Sequence, residues 1–78
     1  MSAPKLPAIS GKRVVQALVR AGFVIDRIRG SHHMLTLPGN IRRSVTVPVH
    51  GGGDLNRSTL RSILEQAGLS VTEFIELL

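Results

Sequence analysis

A two-residue turn between two strand-like segments is the feature that most constrains the fold of this chain. Gly30-Ser31 separates "FVIDRIR" (residues 23–29) from "HHMLTL" (residues 32–37). Glycine in the first turn position is typical of the type II′ turn of a β-hairpin. Such a turn also fixes which residues lie opposite each other. The predicted pairs are Arg29–His32, Ile28–His33, Arg27–Met34 and Asp26–Leu35.

The register of this hairpin sorts the side chains onto two faces, because opposite residues of an antiparallel pair share a face. The predicted core face carries Val24, Ile28, His33, Leu35 and Leu37, with Asp26 as its one misfit. The predicted open face carries Ile25, Arg27, Arg29, His32, Met34 and Thr36. His32 is therefore expected to face outward and His33 inward. A slip of one residue would exchange the two histidines.

Segments on both sides of the hairpin predict a third strand and three helices. Residues 44–49 ("SVTVPV") alternate strictly between apolar and other residues, as a half-buried strand does, and Pro48 near the end favours an edge position. The predicted helix caps and ends are Ser10 and Gly22, then Asn56 and Gly68, then the capping box of Ser70 and Glu73. The order α-β-β-β-α-α indicates an α+β fold with a three-stranded antiparallel sheet packed on helices.

The length of the chain, 78 residues, leaves room for one domain. We expect residues 10–78 to form it and residues 1–9, which include Pro4 and Pro7, to be a flexible N-terminal arm. The absence of cysteine excludes a disulfide framework and a thiolate metal site. No apolar run reaches the roughly 18 residues of a membrane span. These features favour a cytoplasmic protein.

The charge of the chain is strongly basic, with ten Lys and Arg against five Asp and Glu and a net charge of +5. Such a balance favours an anionic partner, above all a nucleic acid, although a basic surface also serves solubility. Nine of the ten cations lie before residue 58, so we expect the anion to contact the N-terminal two-thirds of the chain.

Two histidines are predicted to converge on the open face. If the third strand runs antiparallel beside the second, its end brings His50 toward His32, next to Arg27 and Arg29. Cleavage of an RNA phosphodiester needs a base for the 2′-OH and an acid for the leaving 5′-oxygen, and histidine suits both roles. Arginine can hold the phosphate and offset its developing charge. This patch is a candidate centre for RNA cleavage.

Each of these histidines also has a structural interpretation. His33 fits a satisfied structural histidine, His50 can simply end a strand before the glycines, and His32 can be an ordinary polar strand residue. A metal site is disfavoured, because His32 and His33 point to opposite faces of one strand and no carboxylate cluster joins them.

The sequence also resembles the HicA toxin family of HicA–HicB toxin–antitoxin systems. Two segments carry the resemblance: "SGKRVVQALVRAGFVIDRIRGSHHMLTLPG" and "VTVPVHGGGDLNRSTLRSILEQAGLSVTEFIELL". The shared marks are a Gly-Lys start and Ala-Gly-Phe end of the first helix, Gly-Ser-His, Val-Pro-x-His, and Thr-Leu-x-x-Ile-Leu-x-x-Ala-Gly. Their order and spacing cover the chain from about Ser10 to Leu78.

The resemblance implies a double-stranded-RNA-binding-domain-like fold and an mRNA interferase, a toxin that cleaves mRNA. It implies that the histidine of Gly-Ser-His, here His32, is catalytic, and that a HicB antitoxin covers it. We expect the endoribonuclease to need no metal or other cofactor. The role of His50 rests on the strand register and not on the family. One departure is the scarcity of aromatics: only Phe23 and Phe74 are present, so successive stacking of bases is not available.

The candidate RNA contacts are basic or lie in the hairpin turn. They are Lys12, Arg13, Arg27, Arg29, Ser31, Arg42 and Arg43. For Lys12, Arg13, Arg42 and Arg43, a solvated surface charge is an equally open interpretation. Two other functions also stay open: a non-catalytic RNA-binding module of the same fold, and a chain that acts only with its antitoxin as a regulator of its own operon.

Overall fold

The computed structural model of the chain describes residues 5–78, apart from the side chains of residues 41 and 42. Its elements are α1 (Gly11–Arg20), β1 (Val24–Arg29), β2 (His32–Leu37), β3 (Asn40–Pro48), α2 (Arg57–Ala67) and α3 (Val71–Glu76). The predicted order and the α+β class are confirmed. The third strand begins at Asn40, earlier than expected, because Asn40 already pairs with Leu37 beyond an irregularity in the register.

The ends of the helices follow local side-chain chemistry. The Ser10 hydroxyl accepts a hydrogen bond from the backbone N–H of Arg13 at 3.3 Å and so caps α1. Ser70 and Glu73 form the predicted capping box of α3, with each side chain accepting from the other's backbone N–H at 2.9 and 3.0 Å. Asn56 occupies the N-cap position of α2, although its side chain makes no capping hydrogen bond.

The sheet is antiparallel in the order β1-β2-β3, so β2 is its central strand. The three hairpin pairs nearest the turn are confirmed: Arg29–His32, Ile28–His33 and Arg27–Met34. The fourth is wrong. The register shifts between Ile25 and Arg27, so that Ile25 and not Asp26 lies opposite Leu35.

This β-bulge at Asp26 corrects the predicted faces of β1. In a bulge two residues oppose one residue of the partner strand, and every residue beyond it changes face. Val24, expected on the core face, therefore lies opposite Thr36 on the open face, and Ile25 shares the core face with Leu35. The bulge also resolves the misfit, because the charged residue is the extra one and need not point into the apolar core.

The helices pack on one face of the sheet and leave the other open. Leu35, Val45 and Val47 are fully buried beneath them. The buried core consists of Leu6, Ile9, Val14, Val15, Ala17, Leu18, Phe23, Leu35, Val45, Val47, Leu60, Ile63, Leu64, Ala67 and Phe74. All six residues of β1 are exposed, so the sheet extends beyond the helices on that side. Among residues 5–78 we find no helix long and apolar enough to cross a bilayer.

The expected flexible arm differs from the structure in its second half. Leu6 and Ile9 are buried in the core, and the Ile9 carbonyl accepts a hydrogen bond from the Leu55 N–H at 2.8 Å. The free energy gained by burying two large aliphatic side chains exceeds the cost of ordering this proline-containing segment. The first part of the expected arm, residues 1–4, lies outside the described residues.

Candidate active site

The centre of the candidate site is a pair of histidines held by the ends of two neighbouring strands. His32 begins β2 and pairs with Pro48 of β3. The backbone N–H of Val49 donates to the carbonyl of Ser31 at 2.6 Å, which extends the pairing beyond β3. The next residue, His50, is thereby placed beside His32. The predicted proximity is confirmed: the two ring centroids are 6.2 Å apart and the ring planes meet at 81°.

This geometry suits two-point contact with one phosphodiester. Both His32 and His50 are exposed, so substrate can reach either ring. Hydrogen bonds from ring nitrogens extend about 2.7–3.2 Å. Rings at this separation can therefore reach different oxygens of the same phosphate group.

A close helix contact fixes the strand end that carries His50. A Cβ atom at Gly11 would overlap the carbonyl oxygen of Pro48 and lie 3.2 Å from the Cα of Val49. Only glycine allows α1 to begin this close to the strand. Sequence reasoning missed this role; its only signal is a poor helix former at the first helical position. The contact also brings the first turn of α1, with the exposed Lys12 and Arg13, to the strand end before His50.

Two arginines of β1 lie on the same open face as His32. Arg29 is directly opposite His32 across the hairpin, and Arg27 is two residues further along the strand. Cα atoms of opposite residues are about 4.5–5.5 Å apart, so the long Arg29 side chain can reach a phosphate at His32. Both arginines are exposed. The face is thus locally basic without being buried.

The structure places Arg43 away from this patch. Its Nη1 donates to the carbonyl of Gln66 at 3.3 Å, near the C-terminal end of α2, and its guanidinium lies against Gly68. Arg43 is also five residues from Pro48 along β3, or about 17 Å at roughly 3.4 Å per residue. The structure does not bring it together with the histidines. The side chain of Arg42 lies outside the described residues.

His33 occupies the inward position that the register predicts. It lies opposite Ile28 on one side and Val47 on the other, and its side chain is half-buried. Its Nδ1 is buried and has no hydrogen-bond partner among the described residues. The ring therefore contributes to packing on the core face and takes no part in the exposed pair.

The described residues near the histidines give little support for a metal site or for base stacking on phenylalanine. Within residues 5–78 no group of three or more His, Cys, Asp or Glu side chains is placed to hold a metal ion. Both phenylalanines of the chain, Phe23 and Phe74, are buried in the core. An RNA on this face would therefore contact imidazoles, guanidinium groups and backbone, with no phenylalanine ring on which to stack.

The chain matches the model of a known protein family. Residues 11–69, about three quarters of the chain, match the family model "HicA toxin of bacterial toxin-antitoxin". The matched span runs from the helix–strand contact at Gly11 to the residue after Gly68, and it includes both His32 and His50. No curated protein matches the chain.

Proposed function

The chain belongs to the HicA toxin family of bacterial toxin–antitoxin systems, and from this premise we propose that it is an endoribonuclease that cleaves mRNA with His32 as an acid–base residue. The observation that carries the proposal is the exposed pair of His32 and His50, 6.2 Å apart on a basic face. Family membership supports the toxin role, and the pair supplies the chemistry that such a toxin needs.

The proposed reaction is a transfer within the RNA that needs only proton carriers. One imidazole takes the proton of a 2′-OH, and the 2′-oxygen forms a bond to the adjacent phosphorus. The bond between phosphorus and the 5′-oxygen breaks, and the other imidazole, protonated, gives its proton to that oxygen. The products are a 2′,3′-cyclic phosphate and a 5′-OH. Each such proton transfer is typically worth about 10²- to 10⁴-fold in rate.

His50 is the proposed second proton carrier. It is the titratable side chain whose ring lies beside that of His32, and the hydrogen bond from Val49 to Ser31 keeps the two chain segments together. A neutral imidazole can act as a base and a protonated one as an acid, so a pair of histidines can supply both roles. This division of roles matches the two protonation states that the reaction requires.

The basic residues around the pair are the proposed RNA contacts. Arg29 and Arg27 stabilise the charge that develops on the phosphate, since guanidinium groups bind phosphate through paired hydrogen bonds. Ser31 in the turn and Lys12 and Arg13 on α1 contact the neighbouring backbone of the RNA. We leave Arg43 out of this site because its guanidinium is hydrogen-bonded near the end of α2.

We also propose that a HicB-type antitoxin covers the His32 face and that the chain acts on mRNA in the cytoplasm. Because the face is basic, the antitoxin surface is expected to be acidic. The alternative function is an RNA-binding module without catalysis. The same exposed basic face would serve it, so that only a cleavage assay separates the two.

The test is cleavage of a defined, unstructured mRNA in the presence of EDTA. We expect the wild-type chain to cleave and His32→Ala to be slower by about 10²- to 10⁴-fold, as loss of one acid–base residue predicts. His50→Ala should lose activity to a similar extent. Ser44→Ala, an exposed change at the distant end of the same sheet face, is the control and should keep full activity.

Three results would count against the proposal. Cleavage by His32→Ala at the wild-type rate would remove His32 from the reaction. Full activity of His50→Ala would remove only the second proton carrier. Intact RNA in every lane, together with a mobility shift, would establish the RNA-binding module instead.

A further inference from the structure

The second proposed proton carrier, His50, begins a loop, residues 50–54, that is exposed along its whole length. The centre of this loop is Gly51-Gly52-Gly53. A Cβ atom at any of the three glycines would meet nothing within 4 Å beyond its chain neighbours, and glycine has the greatest backbone freedom of all residues. Packing of the glycines therefore cannot hold His50 beside His32.

The chain that enters the loop is held on two sides. Gly11, at the start of α1, packs so closely on Pro48 and Val49 that a Cβ atom there would overlap the Pro48 carbonyl. The Val49 N–H donates to the Ser31 carbonyl at 2.6 Å. These contacts fix the residue before His50, but they leave the far end of the loop free.

The chain that leaves the loop is held by the two residues that precede α1. The Leu55 N–H donates to the Ile9 carbonyl at 2.8 Å, and Ser10 pairs with Asp54 in an isolated antiparallel bridge. Consecutive Cα atoms are about 3.8 Å apart. The two ends of the loop therefore meet at neighbouring positions of one segment, as the ends of an Ω-loop do. We call this segment, residues 9–11, the N-terminal clamp.

The N-terminal clamp is itself anchored in the core and at the start of α1. The side chains of Ile9 and of Leu6, three residues earlier, are buried. The Ser10 hydroxyl accepts from the Arg13 N–H at 3.3 Å, and the Ser10 carbonyl accepts from the Val14 N–H at 3.1 Å. The clamp thus connects the loop to the most firmly packed part of the molecule.

We propose that the N-terminal clamp is a positioning element, which holds His50 at the distance from His32 that proton transfer on one phosphodiester requires. The proposal rests on the proposed function for its effect on cleavage, whereas the order of the His50 backbone can be measured without RNA. Displacement of a reacting group by about 1 Å can cost about 100-fold in rate. Release of one end of a glycine loop would allow such a displacement.

A contribution to overall stability alone is the competing interpretation of the clamp, since Ile9 is part of the buried core. The two interpretations differ in how they depend on His50. A general loss of structure slows cleavage whether or not His50 is present, whereas a positioning effect disappears once the imidazole is removed. A double-mutant cycle with His50→Ala separates them.

The test removes the exit contact with Leu55→Pro, because proline has no backbone N–H to donate to the Ile9 carbonyl. The preceding residue, Asp54, already lies in a β-bridge, and extended backbone is the conformation favoured before proline. Leu55→Ala is the matched control, since it shortens the same side chain and keeps the N–H.

The first measurement is backbone amide relaxation by NMR on the free chain. We expect the order parameter of the His50 amide to be about 0.85 in the wild type and in Leu55→Ala, and to fall below about 0.6 in Leu55→Pro, with the amides of α1 and α2 unchanged. A low value already in the wild type would overturn the proposal, and so would a high value retained in Leu55→Pro.

The second measurement is RNA cleavage under the conditions of the EDTA assay. We expect Leu55→Pro to lower kcat by about 10- to 100-fold and to change KM by less than about 2-fold, because the phosphate contacts lie elsewhere. Leu55→Ala should change neither. In the His50→Ala background, Leu55→Pro should slow cleavage no further. An equal loss in both backgrounds would mean a general structural effect and overturn the positioning role.

If Leu55→Pro does not fold, Ile9→Val and Ile63→Val replace it as a milder pair. Each removes one methyl group from a side chain that is only 3% or 2% exposed, but only Ile9 belongs to the clamp. A lower His50 order parameter in Ile9→Val alone would support the proposal, and equal values in the two variants would overturn it. Failure of the wild type to cleave RNA would refute the proposed function only, because the order parameters would still decide whether the clamp holds His50.

Discussion

Gly11 shows at the residue scale how a single missing side chain sets the position of the site. We predict that Gly11→Ala destabilises the fold by about 1–3 kcal/mol, the usual cost of forcing an extra methyl group into a packed contact. Helix propensity alone predicts the opposite sign, a gain of about 1 kcal/mol. The steric term should win, because the atoms in the way are the backbone carbonyl of Pro48 and the Cα of Val49, which cannot rotate aside.

Urea unfolding monitored by circular dichroism measures this change, and the control is Gly52→Ala. A Cβ at Gly52 meets no atom within 4 Å, so that variant should keep wild-type stability. A Gly11→Ala chain that is as stable as the wild type, or more stable, would contradict the close packing of α1 on the strand end.

The sequence predicts the positions of only some side chains in and around the candidate site. The proximity of His32 and His50 could be predicted, because it follows from a turn of two residues and one antiparallel pairing, both of which are local. The contact of Gly11 and the hydrogen bond of Arg43 could not. Each depends on where a helix packs in three dimensions, and a periodic pattern of apolar residues does not determine that position.

At the scale of elements, the capping box of α3 makes the stability of the chain depend on pH. The Glu73 carboxylate accepts hydrogen bonds from the Ser70 backbone N–H and from the Ser70 hydroxyl, and these hold its pKa below the ordinary value of 4.5. A carboxylate whose pKa is lower in the folded state adds stability above the unfolded pKa, and that stability is lost as the pH falls through the folded pKa. The box therefore weakens below about pH 4.5.

We predict that the difference in unfolding free energy between the wild type and Glu73→Gln is largest near neutral pH and shrinks as the pH falls from about 5 toward 3. Guanidinium unfolding at a series of pH values measures it. The control is Glu76→Gln, which removes a carboxylate from the same helix outside the capping box. A difference for Glu73→Gln that stays constant over this range would show that folding does not lower the pKa of Glu73.

The elements themselves differ in how well the sequence predicts them. Helix caps and the β2 register were predictable, because Ser10, Ser70 and the Gly-Ser turn act on residues within a few positions of themselves. The bulge at Asp26 was not, since β1 is exposed along its length and burial places little constraint on which of its residues point inward. Alternation of apolar residues is informative only where one face is covered.

For the molecule as a whole, the arrangement of charge and core determines how it would bind RNA under the proposed function. Both phenylalanines are buried in the core, so neither can stack on a base at the open face. The available groups are the exposed cations: Arg27 and Arg29 on β1 and Lys12 and Arg13 at the start of α1. Binding that rests on phosphate contacts releases counterions, and its affinity therefore falls steeply with salt.

We predict that the logarithm of the RNA association constant falls with the logarithm of salt concentration with a slope of about −3, since four phosphate contacts on a single strand contribute about −0.7 each. Fluorescence anisotropy of a labelled, unstructured RNA with the His32→Ala chain, from about 50 to 300 mM KCl, measures the slope. Arg29→Gln should make it shallower by about 0.7 because one contact is lost. Arg61→Gln removes an exposed cation from α2, which packs on the other face of the sheet, and should leave the slope unchanged. Equal effects of the two substitutions would mean that net charge alone attracts RNA and that the open face has no special role.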